Sequence, residues 1–283
     1  MSLRNVLIFS ALASTAALAQ QPLSIPLVKA DLSKPDAAAA VWGSAPAALN
    51  VMLMGQPMIT PRPETTSTAE VKVQAVHDGT RVAFLLTWKD PEVSEAGPLG
   101  KFSDAVAIQF PVKESDVPPP VMMGAKDLPV HIFHWRAQYQ RDAERGKPTP
   151  KDLYPNLNVD MYPMEFKDMG ALPAKGDAER DPYSPGRATG NPQAYAKSGV
   201  DEIIAEGFST SSVQEGHGSL AKGTWANGEW RVVIVRPLKS EGGNVLAPGG
   251  KTFLGFAVWQ GGQGEVGSRK CVTMMWTPAE LGK

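Results

Sequence analysis

Glu70-Val-Lys-Val-Gln-Ala-Val76, then His77-Asp-Gly-Thr80, then Arg81-Val-Ala-Phe-Leu-Leu-Thr-Trp88 is the stretch that decides the fold. Polar and apolar residues alternate in the first run with the period of two that belongs to a strand. The Asp-Gly pair turns the chain, and an apolar run resumes at once. Such a turn between two such runs predicts a β-hairpin. Working outward, Asp104-Ala-Val-Ala-Ile-Gln-Phe110 alternates again and Pro111 ends it. Residues 220–225 and 230–235 flank Ala226-Asn-Gly-Glu229, a second hairpin with Asn-Gly at its tip. Residues 252–259 and 270–276 read as closing strands, separated by the glycine-rich loop 261–269. Only 201–206 and 137–145 read as short helices. With Gly 27 and Pro 25 in 283 residues, long helices have little room. About ten short strands with hairpin links predict an all-β fold, an antiparallel β-sandwich with a few short helices.

The organisation follows from the same reading. Residues 65–283 are expected to form the sandwich domain, preceded by an extension and first strand over 20–64. Inside the domain lies a long irregular excursion, 146–193, rich in proline but anchored by Tyr154, Leu157, Val159, Met161, Tyr162, Met164 and Phe166. A disordered linker lacks such anchors, so an ordered excursion that wraps the sandwich or reaches a partner is expected. Residues 1–19 show Arg4, an apolar run from Val6 to Leu12, and the small-residue ending Ala17-Leu18-Ala19. That is the pattern of a secretory signal peptide cleaved after Ala19. Its removal takes the formal net charge from −1 to −2. The remainder carries no membrane-spanning run, so a periplasmic protein is expected.

Composition excludes several functions. A net charge of −1 gives no basic excess with which to neutralise nucleic-acid phosphates. The single cysteine, Cys271, rules out an internal disulfide, a cysteine zinc cluster, an iron–sulfur cluster and a CxxCH haem attachment. HExxH, GxSxG and P-loop motifs are all missing from the sequence. His131 and His134 stand three apart in Val130-His-Ile-Phe-His-Trp135, which reads as a strand, so they should point to opposite faces. Met122-Met123-Gly124 follows three prolines, and Met274-Met275 lies near the C-terminus; a thioether is most often core filler. Lys270 opens the apolar run Cys271-Val-Thr-Met-Met-Trp276. A lysine entering a buried strand is expected to lose basicity, because desolvation disfavours the ammonium form. The neutral amine has a lone pair and can ligate iron.

A series of segments then resembles a known family. They are Asp104-Ala-Val-Ala-Ile-Gln-Phe-Pro111, Met123-Gly124 leading into Pro129-Val-His-Ile-Phe-His-Trp135, Tyr154-Pro-Asn-Leu157, Pro185-Gly-Arg-Ala-Thr-Gly-Asn-Pro192 and Ala205-Glu-Gly-Phe208. Gly228-Glu-Trp-Arg-Val-Val233, Arg236-Pro-Leu238, Ala257-Val-Trp259 and Arg269-Lys270 before Trp276 continue the series. In this order, from about residue 65 to 281, they resemble the haem-binding gamma subunit of periplasmic molybdenum enzymes. That family includes ethylbenzene dehydrogenase, dimethylsulfide dehydrogenase, selenate reductase and chlorate reductase. The resemblance implies one haem b held between loops of the sandwich, with Met123 and Lys270 as axial ligands. Met122 lies one residue out of register. His131 and Phe133 stand where the family has asparagine and tryptophan, and His134 is a rival nitrogen ligand. Two protein ligands would leave no open iron position, which favours electron transfer over substrate activation. The implied partners are a molybdenum-containing catalytic subunit, an iron–sulfur subunit and a soluble periplasmic cytochrome.

Two other readings stay open at this point. Secreted β-sandwiches with exposed tryptophans can stack sugar rings, and Trp42, Trp88, Trp135, Trp225, Trp230, Trp259 and Trp276 allow a carbohydrate-binding module. A stand-alone haem carrier is the third.

Overall fold

The computed structural model describes residues 21–95, 100–146, 148, 150–156, 189, 199–214, 218–240 and 242–283. The expected signal peptide and most of the 146–193 excursion lie outside the described residues. In chain order the strands are β1 (Leu23–Ile25), β2 (Leu49–Met52), β3 (Met54–Gly55), β4 (Glu70–His77), β5 (Arg81–Lys89), β6 (Ala105–Pro111) and β7 (Val130–Arg136). They continue as β8 (Val200–Ala205), β9 (Ser212–Gln214), β10 (Leu220–Ala226), β11 (Glu229–Pro237), β12 (Lys251–Trp259), β13 (Cys271–Val272) and β14 (Thr277–Leu281). Helices are short: α1 (Val41–Ser44), α2 (Ala137–Arg145) and α3 (Pro150–Leu153). The fold is an all-β sandwich of two sheets. The larger runs β1-β14-β12-β6-β7-β8-β9, with β13 beside β12 and β3 beside β13; the smaller runs β10-β11-β5-β4-β2. Pairing is antiparallel throughout these ladders except between β1 and β14, which are parallel.

Both expected hairpins form. Between β4 and β5 the Asp78 carboxylate accepts the Thr80 and Arg81 amides at 2.8 and 2.7 Å, which fixes the turn. Between β10 and β11 the tip residues Asn227 and Gly228 have φ of 55° and 75°. Two successive left-handed residues match the turn twist to that of the flanking strands.

Alternation explains the core. Val71, Val73 and Ala75 of β4, Val82, Phe84, Leu86 and Trp88 of β5, and Trp230, Val232 and Ile234 of β11 face Val106, Ile108 and Phe110 of β6, Phe133 and Trp135 of β7, and Leu254, Phe256 and Val258 of β12. Aromatic rings dominate one end. Trp135 meets Trp230 edge-on at 5.1 Å, and Trp88 stacks on Trp230 at 6.2 Å; such pairs add about 0.5–1.5 kcal/mol each beyond area burial. The remaining apolar residues of the small sheet, Val76, Ala83, Leu85, Val233 and Val235, point outward and are covered by Leu32, Ala37 and Trp42. Residues 30–45 thus form a third layer over the small sheet, and with β1, β2 and β3 the sandwich begins well before residue 65.

Two sequence expectations are corrected. Residues 201–206 do not form a helix but supply most of β8, paired on both sides with β7 and β9. Their acids are buried with partners: Glu202 accepts the Ser219 amide at 3.2 Å and lies 3.3 Å from His131 Nε2, while Asp201 lies 4.0 Å from Arg136. The 270–276 run is not one strand. β13 ends at Val272 because Thr273 turns inward to bond Phe256, its hydroxyl accepting the Phe256 amide at 3.0 Å; the closing strand is β14.

Candidate functional site: a cleft on the outer face of the larger sheet

The outer face of the larger sheet is built in rows set by register. Trp259, Ala105 and Arg136 lie side by side across β12, β6 and β7; the next row is Ala257, Ala107 and His134, and the next Gly255, Gln109 and Ile132. The middle strand presents two alanines, so the large side chains of its neighbours close over it. The rings of His134 and Trp259 stack at 4.5 Å with 23° between planes. The Trp259 indole N–H donates to Gly267 O at 2.9 Å, which fixes the ring. These two rings form a flat floor.

Above that floor is a cleft of about 1210 Å³ whose lining includes Met123, His134, Arg136, Phe208, Trp259 and Lys270. That exceeds the roughly 300–1,000 Å³ of most small-molecule sites. Met123 enters from the β6–β7 connection. Gln109 reaches across Gly255 to donate its side-chain amide to Val121 O, and a Cβ on residue 255 would meet that amide. Glycine is required there for the crossing. Met123 itself has φ of 65°, uncommon for a bulky residue, and its carbonyl accepts the Gly207 amide at 2.8 Å. Gly124 follows with φ of 73°, where a Cβ would collide with Leu128 O. The methionine is therefore presented by a backbone held from two sides.

Lys270 also lines the cleft, from immediately before β13. Its Nζ lies 4.7 Å from the Trp259 ring centroid, and no carboxylate among the described residues forms an ion pair with it. Burial pulls the ammonium down to about 8. At pH 7 its deprotonation then costs far less than that of an ordinary lysine. His134 lies on the floor. Burial, aided by the charges of Arg136 and Lys270, holds it well below the usual imidazole range, and its Nε2 is buried without a partner among the described residues.

Met123, Lys270 and His134 are thus brought to one cleft. Met122 is not among that cleft's lining; it lines a neighbouring cavity of about 50 Å³. Its sulfur is engaged by Gln56 Nε2 at 3.7 Å. His131 points the other way, into the sandwich, where Asn244 N donates to its Nδ1 at 3.3 Å. The cleft lies on the outer sheet face, away from the space between the two sheets. That space is filled by Phe84, Trp88, Phe110, Phe133, Trp135 and Trp230. The donor set fits a haem: a thioether and an amine of low basicity lining one cleft, an aromatic floor and a buried nitrogen without a partner among the described residues. Among the described residues no cluster of three or more His, Cys, Asp or Glu offers a competing metal site. Sequence reading missed Arg136, which is signalled only by its outward phase with Ile132 and His134 on β7.

Fold and site define a β-sandwich with a cleft on one outer sheet face, lined by a thioether and by a lysine amine of lowered basicity. A family model described as ethylbenzene dehydrogenase matches residues 39–271, and the chain belongs to that family. Among relatives, the chain is 25% identical over 236 residues to a protein of Haloferax mediterranei described as a candidate respiratory nitrate reductase heme subunit, covering 82% of this chain and 63% of that protein. It therefore spans just under two thirds of that relative's length. It is 27% identical over 243 residues to the chlorate reductase subunit gamma of Ideonella dechloratans, covering 84% of this chain and 76% of that one. A family 9 carbohydrate binding module from Caldicellulosiruptor kristjanssonii superimposes with a TM-score of 0.40 at 10% identity, over 93% of this chain and 94% of that one.

Proposed function

We propose that this chain is the haem b electron-transfer subunit of an exported molybdenum oxidoreductase. The observation that carries the reading is the convergence of Met123 and Lys270, 147 positions apart in sequence, on one aromatic-floored cleft. Haem bound there would supply a one-electron couple. The chain's residues do the rest. Met123 offers a neutral thioether, which tends to raise a reduction potential, and Lys270 offers an amine whose low basicity reduces the cost of losing its proton. The Trp259 ring, fixed by its bond to Gly267 O, sets an apolar surface beside the donors. Two protein donors leave no position for substrate, so substrate chemistry belongs to a molybdenum-containing subunit. Electrons would pass from a partner's iron–sulfur clusters through this subunit to a soluble periplasmic cytochrome, or in reverse for a reductase. Residues 1–19 would direct export and be cleaved after Ala19. In support, relatives are described as haem or gamma subunits of respiratory reductases, and no helix among the described residues is long and apolar enough to cross a membrane.

The carbohydrate reading gains nothing from the tryptophans. Trp42, Trp88, Trp135, Trp230 and Trp259 are buried, and Trp225 and Trp276 are half-buried with their N–H groups bonded to Asp90 O and Pro119 O.

Visible absorption of the purified protein tests the proposal. A low-spin haem b spectrum is expected, and Met123→Ala or Lys270→Ala should abolish it or weaken haem retention by about 100-fold or more. His134→Ala should leave it in place. A colourless protein would overturn the haem reading, and a spectrum lost in His134→Ala but kept in Lys270→Ala would replace the ligand pair.

A further inference from the structure

The charges that line the cleft are unbalanced. Among the described residues, and leaving aside Lys270, which the haem reading makes a neutral donor, they are Lys101 and Arg136 against the single acid Glu265. Glu265 is itself engaged, accepting the Gln260 amide at 2.8 Å and the Ser67 hydroxyl at 2.7 Å. An apolar, aromatic floor beside surplus positive charge suits a flat ligand that carries acidic groups at one edge.

Arg136 is the residue built to meet such a group. It is the last residue of β7, and its backbone is pinned by its own amide bonding Gly199 O at 3.0 Å and by the Ala137 amide bonding Asp104 O at 2.9 Å. Its guanidinium lies over the Tyr139 ring at 4.7 Å and donates to the Tyr139 hydroxyl at 2.7 Å. Asp201, the acid in its ion pair, stands 4.0 Å off, at the outer limit for a pair, and His134 Nδ1 is 3.5 Å away. The side chain is 30% exposed, open to the cleft. One edge of the fork is braced by an aromatic ring and a hydroxyl, and the other is left without a close anion. A guanidinium stays charged at any working pH and presents paired donors that match a carboxylate.

Resting on the haem reading above, we infer that Arg136 is the positioning residue that binds a propionate carboxylate of the haem and so sets the orientation of the ring within the cleft. Lys101, exposed on the facing lip, contributes long-range charge only.

The test uses the apo form of the full chain titrated with iron protoporphyrin IX and with its dimethyl ester, which keeps the ring and metal but lacks the carboxylates. Wild type should prefer the free acid by about tenfold or more, the scale of one hydrogen bond to a charged group. Arg136→Gln should erase most of that preference while the low-spin spectrum, set by the axial donors, stays unchanged. Arg136→Lys should recover part of it, and Lys101→Gln should change it by less than about twofold. Circular dichroism of each variant checks folding, and the graded Gln and Lys pair keeps the result readable if one variant is unstable. If Arg136→Gln binds both porphyrins and keeps the full preference, this inference is overturned and the haem reading stands. Binding of neither porphyrin by wild type would overturn both.

Discussion

On the outer face of the smaller sheet, β4, β5 and β11 present Val76, Ala83, Leu85, Val233 and Val235 to the chain's own residues 30–45. On the outer face of the larger sheet, β6, β7 and β12 present Ala105, Ala107, Ile132, His134 and Ala257 to an open cleft. Pleat, pairing and twist are of one kind on both faces. What differs is side-chain volume and what lies above. Branched aliphatic residues on the first face call for a covering layer, and Trp42 with Leu32 supplies it. Alanines on the central strand of the second face let two flanking rings close over it. The sheet becomes a floor there, where on the other face it is core.

Three substitutions break or sharpen this contrast. The largest effect is expected from Trp42→Ala, which strips the covered face. Trp42 is 8% exposed and its indole N–H donates to Asp36 O at 2.8 Å. A loss of about 3–5 kcal/mol in urea unfolding is expected, with ligand uptake by the folded fraction unchanged. Equal loss of uptake would mean the two faces are mechanically linked. Ala107→Leu fills the open face instead. It should cost about 1–3 kcal/mol through overpacking beneath the His134–Trp259 stack and reduce haem uptake far more than Trp42→Ala does, which a Soret titration reads directly.

The third and smallest concerns the end of the sandwich that both sheets share. The Asp104 carboxylate accepts Ser94 N at 2.6 Å, Trp230 Nε1 at 3.0 Å and Gly261 N at 2.8 Å, which ties β6, β11 and the β12 end together. Beside it, burial first and the Asp104 charge second push Asp90 up to about 7. The folded chain then keeps a proton that the unfolded chain releases near pH 4. Stability from this group is complete below that pH and declines as pH rises through 7. Asp90→Asn should flatten the decline between pH 5 and pH 8, as measured by unfolding at the two values. An unaltered slope would show that the proton resides elsewhere.

Much of the fold was legible because period-two patterns and turn chemistry are local. The hairpin at 70–88 is an example. The run Val82-Ala-Phe-Leu-Leu86 was legible as a strand, but not the segment that covers its outer face, since residues 30–45 carry only scattered apolar positions. Residues 201–206 misled because Glu and Ala favour helix in isolation, whereas burial against His131 and Ser219 supplied partners that propensity does not count. Met123 and Lys270 were reached through resemblance and the oddity of a lysine leading an apolar run. The sheet face on which they meet was not read from the sequence. A signal existed in Ala105-x-Ala107 and Gly255-x-Ala257, small residues in phase with one another and out of phase with Val106, Ile108, Phe256 and Val258. Only the register that sets residue 105 beside 259 makes those two patterns one surface.

That same register governs timing. The floor pairs residues 105–109 with residues 255–259, and its third strand covers 130–136. Closing loops of such length makes non-local sheets slow to assemble. No fragment that stops short of Trp259 can hold the floor, and none that stops short of Lys270 can hold both donors. A chain emerging from its N-terminus would therefore complete its covered face and aromatic core from earlier material while the cleft waits for the final strands. Ligand capture belongs at the end of folding, when the last fourteen or so residues are in place.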